Sequence, residues 1–332
     1  CRKEPLGLVG KDARLAKQAG FLIEETLTMS KTVLVTGGAG YVGSHCCKAF
    51  SEAGWRVVVF DNFSRGWRDF VQFGEVVEGD LLSPEDLDAA FETYKPDAVA
   101  HFAAFAYVGE SVEQPGLYYE NNVMGTVRLL DAMAKAGTKQ IIFSSTCATY
   151  GVPEKMPMTE DLPQRPINPY GMSKLFVEKV LDDYEVAHGI RSVKLRYFNA
   201  AGASPDGEIG ERHEPETHLI PLCIEGVLND TFKLTIFGDD FETRDGTCIR
   251  DYIHVDDLAA AHVDALNYLS SGGASCTLNC GYGRGFSVRE VLNMMHRVSG
   301  KSFPVTETSR RAGDPAQVVA DNTRIREVLH WQ

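Results

Sequence analysis

The chain lacks any run of about 18 apolar residues, the length at which a stretch reads as a membrane-spanning helix. It has no Cys-x-x-Cys pair and no His-Glu-x-x-His, so the spacings that announce a metal site are missing despite eight cysteines and nine histidines, and no metal is expected. Positive charge is scarce: 33 Lys and Arg face 46 Asp and Glu, a net charge of −13 that disfavours nucleic acid or an anionic membrane as partner. An anionic ligand must then be held by local arginines and helix N-termini, against the average field. Internal repeats and low-complexity segments are absent. Residues 1–28 carry charge throughout (Arg2, Lys3, Glu4, Lys11, Asp12, Arg14, Lys17) and have no apolar stretch of the signal-peptide kind. The cysteines suit core packing better than disulfides, Cys276 and Cys280 included, so a reducing cytoplasm is the expected location.

What the chain does contain is an apolar, β-branched strand running directly into a glycine turn. Lys31-Thr32-Val33-Leu34-Val35-Thr36 leads into Gly37-Gly38-Ala39-Gly40-Tyr41-Val42-Gly43, with Gly37, Gly40 and Gly43 in G-x-x-G-x-x-G spacing before a helix-like segment. Glycines there permit a tight turn, close approach of backbone N–H groups to a pyrophosphate, and close helix–strand packing. A glycine match alone is weak, because many Gly-rich turns bind nothing. The next strand, Arg56-Val57-Val58-Val59-Phe60, ends in Asp61, where a carboxylate bonds adenosine ribose hydroxyls and so favours NAD over NADP. Arg65, nearby, pulls the other way. Further strands follow at Val76–Leu81, Ala98–Ala104 and Gln140–Thr146. Asp80 either bonds the adenine or caps the turn before Ser83-Pro84, which start a helix. Strand–helix repeats of this length predict an α/β fold, a Rossmann-type doubly wound parallel sheet. The glycine turn, Asp61, Asp80, the His101–Ala104 run and Thr146 all fall at carboxyl ends of strands, where such sheets bind ligands.

Asn168-Pro169-Tyr170-Gly171-Met172-Ser173-Lys174 sets a phenol and an ammonium one turn apart on a helix begun by Pro169. Half-ionising a phenol at pH 7 takes about 4 kcal/mol, which a nearby Lys⁺ and a cationic nicotinamide would supply between them. Such a pair on its own is ordinarily just a surface contact.

Taken together, these residues resemble the extended short-chain dehydrogenase/reductase family, and within it the UDP-glucose 4-epimerase group. The likeness runs from about Lys31 to Asp321, through Thr36–His45, Asp61-Asn62, His101–Ala104, Val108–Ser111, Tyr118–Asn122, Tyr170–Lys174, Arg196–Asn199, Asp245–Thr247, Arg250–Val255 and Arg310–Asp314. It implies a UDP-hexose 4-epimerase with bound NAD. Tyr170 takes the proton of the sugar 4-hydroxyl while C4 gives up hydride, Thr146 bonds the same oxygen, and Lys174 bonds the nicotinamide ribose and lowers the Tyr170 pKa. The 4-keto sugar then turns over and the hydride returns to its other face. The cofactor contacts so implied are Gly37, Gly40, Tyr41, Val42, Gly43, Asp61, Asn62, Asp80, Leu81, Phe102, Ala103, Ala104, Asn121, Tyr170, Lys174 and Phe198. The sugar-nucleotide contacts are Thr146, Asn199, Leu219, Phe237, Arg250, Arg311, Asp314 and Val318. Arginine suits the diphosphate through its planar fork. Val318 stands where a bulky Tyr in relatives excludes a 2-N-acetyl group. Ala106 replaces a Lys of some relatives, which removes one cofactor contact.

Cys147-Ala148 after Thr146 offer no carboxylic acid, which argues against a 4,6-dehydratase and for simple hydride return. UDP-pentose and UDP-N-acetylhexosamine epimerases, a net dehydrogenase and a non-catalytic NAD sensor remain rival readings. The resemblance divides the chain into an extension over 1–30, a cofactor domain over 31–198 with returning segments about 231–270, and a smaller mixed α/β substrate domain over 199–230 and 271–332. It also suggests that a last helix is missing beyond Gln332. Apolar residues at helical spacing over Leu117–Ala136 and Tyr170–His188 suit either a homodimer interface or burial against the chain's own sheet.

Overall fold

Alternation of apolar residues along the early strands decides the architecture. The computed structural model describes residues 30–311 and 313–332; the extension expected over residues 1–30 lies, up to Met29, outside them. The first six strands are β1 (Thr32–Thr36), β2 (Arg56–Asp61), β3 (Glu75–Glu78), β4 (Ala98–His101), β5 (Gln140–Thr146) and β6 (Arg191–Tyr197). They pair in parallel in the order β6-β5-β4-β1-β2-β3. Val33, Val35, Val57 and Val59 point to one face, against Phe50 of α1 (Tyr41–Glu52). Leu34, Val58 and Phe60 point to the other, against Leu87 of α2 (Pro84–Tyr94). Two apolar faces per strand require helices on both sides, and each large side chain so buried contributes about 1.5–3 kcal/mol.

Between β4 and β5 come two short helices, α3 (Val108–Glu113) and α4 (Pro115–Tyr118), one wide π-turn (Tyr119–Met124), and α5 (Gly125–Ala136). The helix suggested over Leu117–Ala136 is therefore present with its backbone helical throughout, widened over Tyr119–Met124, and wide turns of this type are frequent at functional sites. Long α6 (Pro169–His188) joins β5 to β6, capped by the Asn168 side chain, which accepts from the Gly171 amide at 2.8 Å, and closed by Gly189 in a left-handed conformation.

Beyond β6 the chain builds smaller sheets. β7 (Asn199–Ala201) leads to α7 (Leu219–Leu228), β8 (Leu234–Phe237), β9 (Ile249–His254) and α8 (Val255–Ser270). After β10 (Cys276–Cys280) come β11 (Gly285–Ser287), α9 (Val288–Ser299), β12 (Val305–Thr308), β13 (Gln317–Val318) and α10 (Thr323–Leu329). β9 pairs in parallel with β7 and β13 and antiparallel with β11, while β8 pairs with β12. Three expected segment memberships are corrected here. β10 extends the main sheet beside β6, while β8 and β9, expected among the segments returning to that sheet, belong to the β8–β12 pair and to the sheet of β7, β9, β11 and β13. The β10 and β8 runs alternate alike in sequence; α8, packed on the same face as α1, delivers β10 by a crossover that periodicity cannot show. Seven described cysteines are unpaired, and Cys46, Cys47, Cys276 and Cys280 all lie in or against one core. Among the described residues no helix is long and apolar enough to cross a membrane.

Candidate active site

Gly37 leaves β1 at φ +73°, and a Cβ there would stand 2.4 Å from the Ala103 amide nitrogen; at Gly43 it would stand 2.2 Å from the Gly37 carbonyl oxygen. Only glycine lets the ends of β1 and β4 approach this closely. Strand order reverses at that place, which makes it the ligand crevice of the sheet. α1 begins there with no side chain capping it, so its first amides face the crevice as an anion site. Asp61 lies beside it with Oδ2 accepting from the Ala39 amide (3.0 Å) and Oδ1 from the Phe63 amide (2.8 Å). Burial raises its pKa and those two amides pull it back. Asp80 caps the turn, accepting from the Leu82 amide at 2.8 Å and from Asn62 Nδ2 at 3.0 Å, and it also lines the cleft. The Arg65 charge is already matched by Glu110 at 2.6 Å, with the guanidinium over the Phe105 and Tyr107 rings.

Three residues of α6 at helical spacing meet three successive residues of β5. The Tyr170 phenol stands beside the Thr146 hydroxyl, Lys174 Nζ donates to the Ser144 carbonyl at 2.8 Å, and Glu178 Oε1 accepts from Ser145 Oγ at 2.6 Å. The approach depends on Gly171, where a Cβ would stand 2.6 Å from the Ala148 carbonyl oxygen in the turn after Thr146. Asn122, in the π-turn, ties the other side: its Nδ2 donates to Ser173 Oγ at 3.0 Å and its Oδ1 accepts from the Phe105 amide at 2.8 Å. Behind them His101 bridges Thr36 (2.6 Å, Nδ1) and Thr126 (2.8 Å, Nε2). The Thr126 hydroxyl gives its proton to the Asn122 carbonyl, so Nε2 is the His101 donor. Burial, with Lys174 nearby, lowers the His101 pKa to about 3, keeping it neutral.

The electrostatics differ from the expectation in one respect. Burial raises the Tyr170 pKa, Tyr197 adds to this, and the Thr146 hydroxyl opposes it. Burial alone brings Lys174 down to about 7. The ammonium faces the Ser144 carbonyl and lies 4.9 Å from the Phe143 ring centroid, so in this arrangement desolvation outweighs its pull on the phenol.

One cleft of about 1130 Å³ runs past these groups. Its wall includes Gly37, Gly40, Tyr41, Val42, Gly43, Asp61, Asn62, Asp80, Leu81, Phe102, Ala103, Ala104, Asn121, Thr146, Tyr170, Phe198, Asn199, Arg250, Arg311, Asp314 and Val318. Single-ligand pockets span roughly 300–1,000 Å³, so there is room for a dinucleotide and a second ligand. Arg250 is braced by the Ile249 and Pro315 carbonyls (2.9 and 3.0 Å) and lies 3.7 Å from Asp314. Three expected residues are not on the wall. Lys174 is buried behind it, Leu219 packs against the Cys223–Leu234 core, and Phe237 lies beneath the Arg311 guanidinium, 3.8 Å from its ring centroid. The wall also includes residues the sequence reading passed over, notably Tyr107, Glu211, Arg212, His213, Thr217 and His218. Trp67 Nε1 donates to the Arg212 carbonyl at 3.1 Å and Asp69 pairs with the Arg212 guanidinium at 2.7 Å, holding that loop to the β2–β3 connection. The density of His and Glu in Glu211–His218 was the available signal.

The profile of the NAD dependent epimerase/dehydratase family matches residues 33–281. A UDP-glucose 4-epimerase of Rhizobium leguminosarum bv. trifolii is 53% identical over 301 residues, 91% of this chain and 92% of that one. The crystal structure of UDP-glucose 4-epimerase from Brucella ovis in complex with NAD matches with TM-score 0.89 and 52% identity, covering 91% of this chain and 93% of the other. That of the UDP-Glc/GlcNAc 4-epimerase from Campylobacter jejuni matches with TM-score 0.80 and 43% identity over 91% and 94%. The agreement extends over well more than half of the sequence and over both the sheet and the cleft built on it, and on that ground the chain belongs to the NAD dependent epimerase/dehydratase family.

Proposed function

We propose that the protein is an NAD-dependent isomerase that interconverts UDP-glucose and UDP-galactose by inverting C4 of the sugar. The observation that carries this reading is the pairing of the Tyr170 phenol with the Thr146 hydroxyl on the wall of a cleft that begins at a dinucleotide-type glycine turn. The chain's own groups fit the cofactor: the uncapped first amides of α1, reached through the glycine turn, suit a pyrophosphate, and Asp61 suits unphosphorylated ribose. When bound, NAD supplies the hydride acceptor and donor. Tyr170 moves the proton of the sugar 4-oxygen, Thr146 holds that oxygen, and Lys174 is the cation that favours the phenolate. Asn199, Arg250, Arg311 and Asp314 anchor the UDP part, remote from the reacting carbon, so the sugar itself is free to turn. Residues from Thr32 to Tyr197, with β10, form the cofactor half, and the β7–β9 and β11–β13 segments supply the sugar-nucleotide half.

Purified protein should therefore convert UDP-glucose to a mixture with UDP-galactose without added NAD. Stoichiometric consumption of NAD⁺ would make it a dehydrogenase instead. A second reading, activity on UDP-N-acetylhexosamines too, is favoured by Val318, a small side chain on the cleft wall packed with Tyr150, Met158 and Phe198. In the same assay UDP-N-acetylgalactosamine should be turned over, and Val318→Tyr should depress that rate at least 10-fold relative to UDP-galactose, the effect of shape misfit in a pocket. Equal rates for both substrates in the variant would rule Val318 out as the determinant.

We also propose a homodimer. Leu130, Met133, Val177 and Leu181 are spent on the chain's own core, but Leu117, Met124 and Phe176 stay exposed on α4, the π-turn and α6, with Tyr119 and Phe176 rings 5.9 Å apart. Phe176→Glu should sediment as a monomer where the parent sediments as a dimer; an unchanged sedimentation coefficient would refute this face.

A further inference from the structure

Two glutamates and two histidines converge at the mouth of the cleft, all from the stretch Glu211-Arg212-His213-Glu214-Pro215-Glu216-Thr217-His218. One ligand atom from each of Glu211, His213, Glu216 and His218 lies within 4.8 Å of the other three. His213 Nδ1 is 3.5 Å from Glu211 Oε1 and 3.3 Å from Glu216 Oε2. His218 Nδ1 is 3.0 Å from Glu211 Oε1 and 3.2 Å from Glu216 Oε1. Zinc with bonds of about 2.0–2.1 Å in tetrahedral geometry sets its ligands roughly 3.3 Å apart, so these four edges already have the spacing of a first coordination sphere.

A second observation points to a ligand. The Glu211 side chain is only 7% exposed, and its Oε1, although 3.0 Å from His218 Nδ1, has no donor aligned for a hydrogen bond. A buried carboxylate oxygen without a donor costs more than a neutral group would, and a cation at the centre of the cluster removes that cost. Arg212 is not that cation, because its guanidinium is turned onto the Trp67 ring (3.7 Å) and Asp69. Metal ligation takes imidazole in its neutral form, so the four groups as ligands carry a charge of −2, which one divalent ion balances.

We propose that Glu211, His213, Glu216 and His218 bind a divalent transition-metal cation, zinc by preference. Mixed imidazole and carboxylate donors suit zinc, whereas calcium and magnesium take oxygen donors throughout. Four protein ligands close the coordination sphere, so the ion is structural. It pins the 203–218 loop over the cleft: the His213 ring meets Tyr41 edge-on at 5.9 Å, and Tyr41, the first residue of α1, donates to the Gly202 carbonyl at 2.7 Å. The loop so held lies next to the glycine turn and slows the exchange of whatever that turn binds. The sequence reading found no metal because E-x-H-x-x-E-x-H is not a standard spacing and only the folded loop brings the four groups together.

The test is metal counting, independent of turnover. The full chain, stripped with EDTA, is titrated with zinc chloride and, separately, with cobalt chloride. The expected result is one zinc per chain, a tetrahedral Co²⁺ absorption spectrum, and a melting temperature that falls with EDTA and returns with zinc. Glu211→Gln and the His213→Gln/His218→Gln double variant should each bind zinc far more weakly, beyond the roughly 10–100-fold that loss of an outer-sphere partner costs. Failure of the stripped parent to take up a stoichiometric equivalent, or full zinc binding by folded variants, overturns the proposal. Should the double variant not fold, the parent's cobalt spectrum and the single Glu211→Gln variant still decide.

Discussion

Tyr170→Phe should lower kcat by about 10³-fold, within the range that one positioned acid–base group contributes, and should leave NAD retention and the KM for UDP-glucose nearly unchanged. The substitution deletes one oxygen from the cleft wall, so neither the glycine turn nor the arginines that hold the nucleotide are disturbed. What goes is the hydroxyl beside Thr146. The phenol's own environment makes the expected effect steep. Burial pushes its pKa above the ordinary tyrosine value, so ionising it near neutrality costs more than the roughly 4 kcal/mol of a solvated phenol. Lys174, itself brought down to about 7 by burial, supplies positive charge one turn away only while it stays protonated. The rate of the parent should thus depend on pH around neutrality, and the small residual rate of the variant should not. Unchanged kcat in Tyr170→Phe would mean that another base removes the proton, and the reading of the cleft as an epimerase site would fail with it.

Much of this site is legible in the sequence because its parts are local. The glycine turn, the acid ending β2 and the Tyr–Lys turn of α6 each need only a few adjacent residues, and the cleft wall contains almost all the residues expected there. Residues that act across the fold were harder. Leu219 and Phe237 were carried over from a resemblance, yet one packs into the β8–β12 core and the other props Arg311 from behind. Gly171 reads as one more glycine until the Ala148 carbonyl is seen against it. β10 and β8 exchanged places because alternation specifies a strand and not its partner. The same limit hid the Glu211–His218 cluster, and it hid the balance at Tyr170, where the neighbouring charge was visible in sequence and the depth of burial was not.

Glu178→Ala should cost about 3–5 kcal/mol of stability, the penalty for removing one member of a buried ion pair. Glu178 is 2% exposed and Arg196 4%, so neither charge is relieved by water. Arg196 Nε and Nη2 donate to the two Glu178 oxygens at 2.9 and 2.6 Å, and Ser145 Oγ and Gln164 Nε2 donate to the same carboxylate. With the carboxylate gone, the guanidinium keeps only Tyr150 and the Glu160 carbonyl, and it cannot shed its proton. Calorimetry should record a melting point lower by roughly 5–8 °C at neutral pH. Burial alone would raise the Glu178 pKa, but the Arg196 contacts outweigh it and hold it below the ordinary value. Its contribution is therefore complete above the unfolded glutamate pKa, about 4.3, and fades as pH drops through the lower folded value. The deficit of the variant should shrink accordingly in acid. Replacing both partners by Met should recover most of the loss, since an apolar pair leaves no charge stranded. A double variant as unstable as the single would show that the network holds α6 by shape rather than by charge. Either way Tyr170, Lys174 and Glu178 form one stripe on α6 facing Ser144, Ser145 and Thr146, so loosening the lowest contact tilts the two above it. Glu178→Ala should then lose turnover below its melting range, while Glu178→Gln, which keeps the Ser145 bond, should lose less.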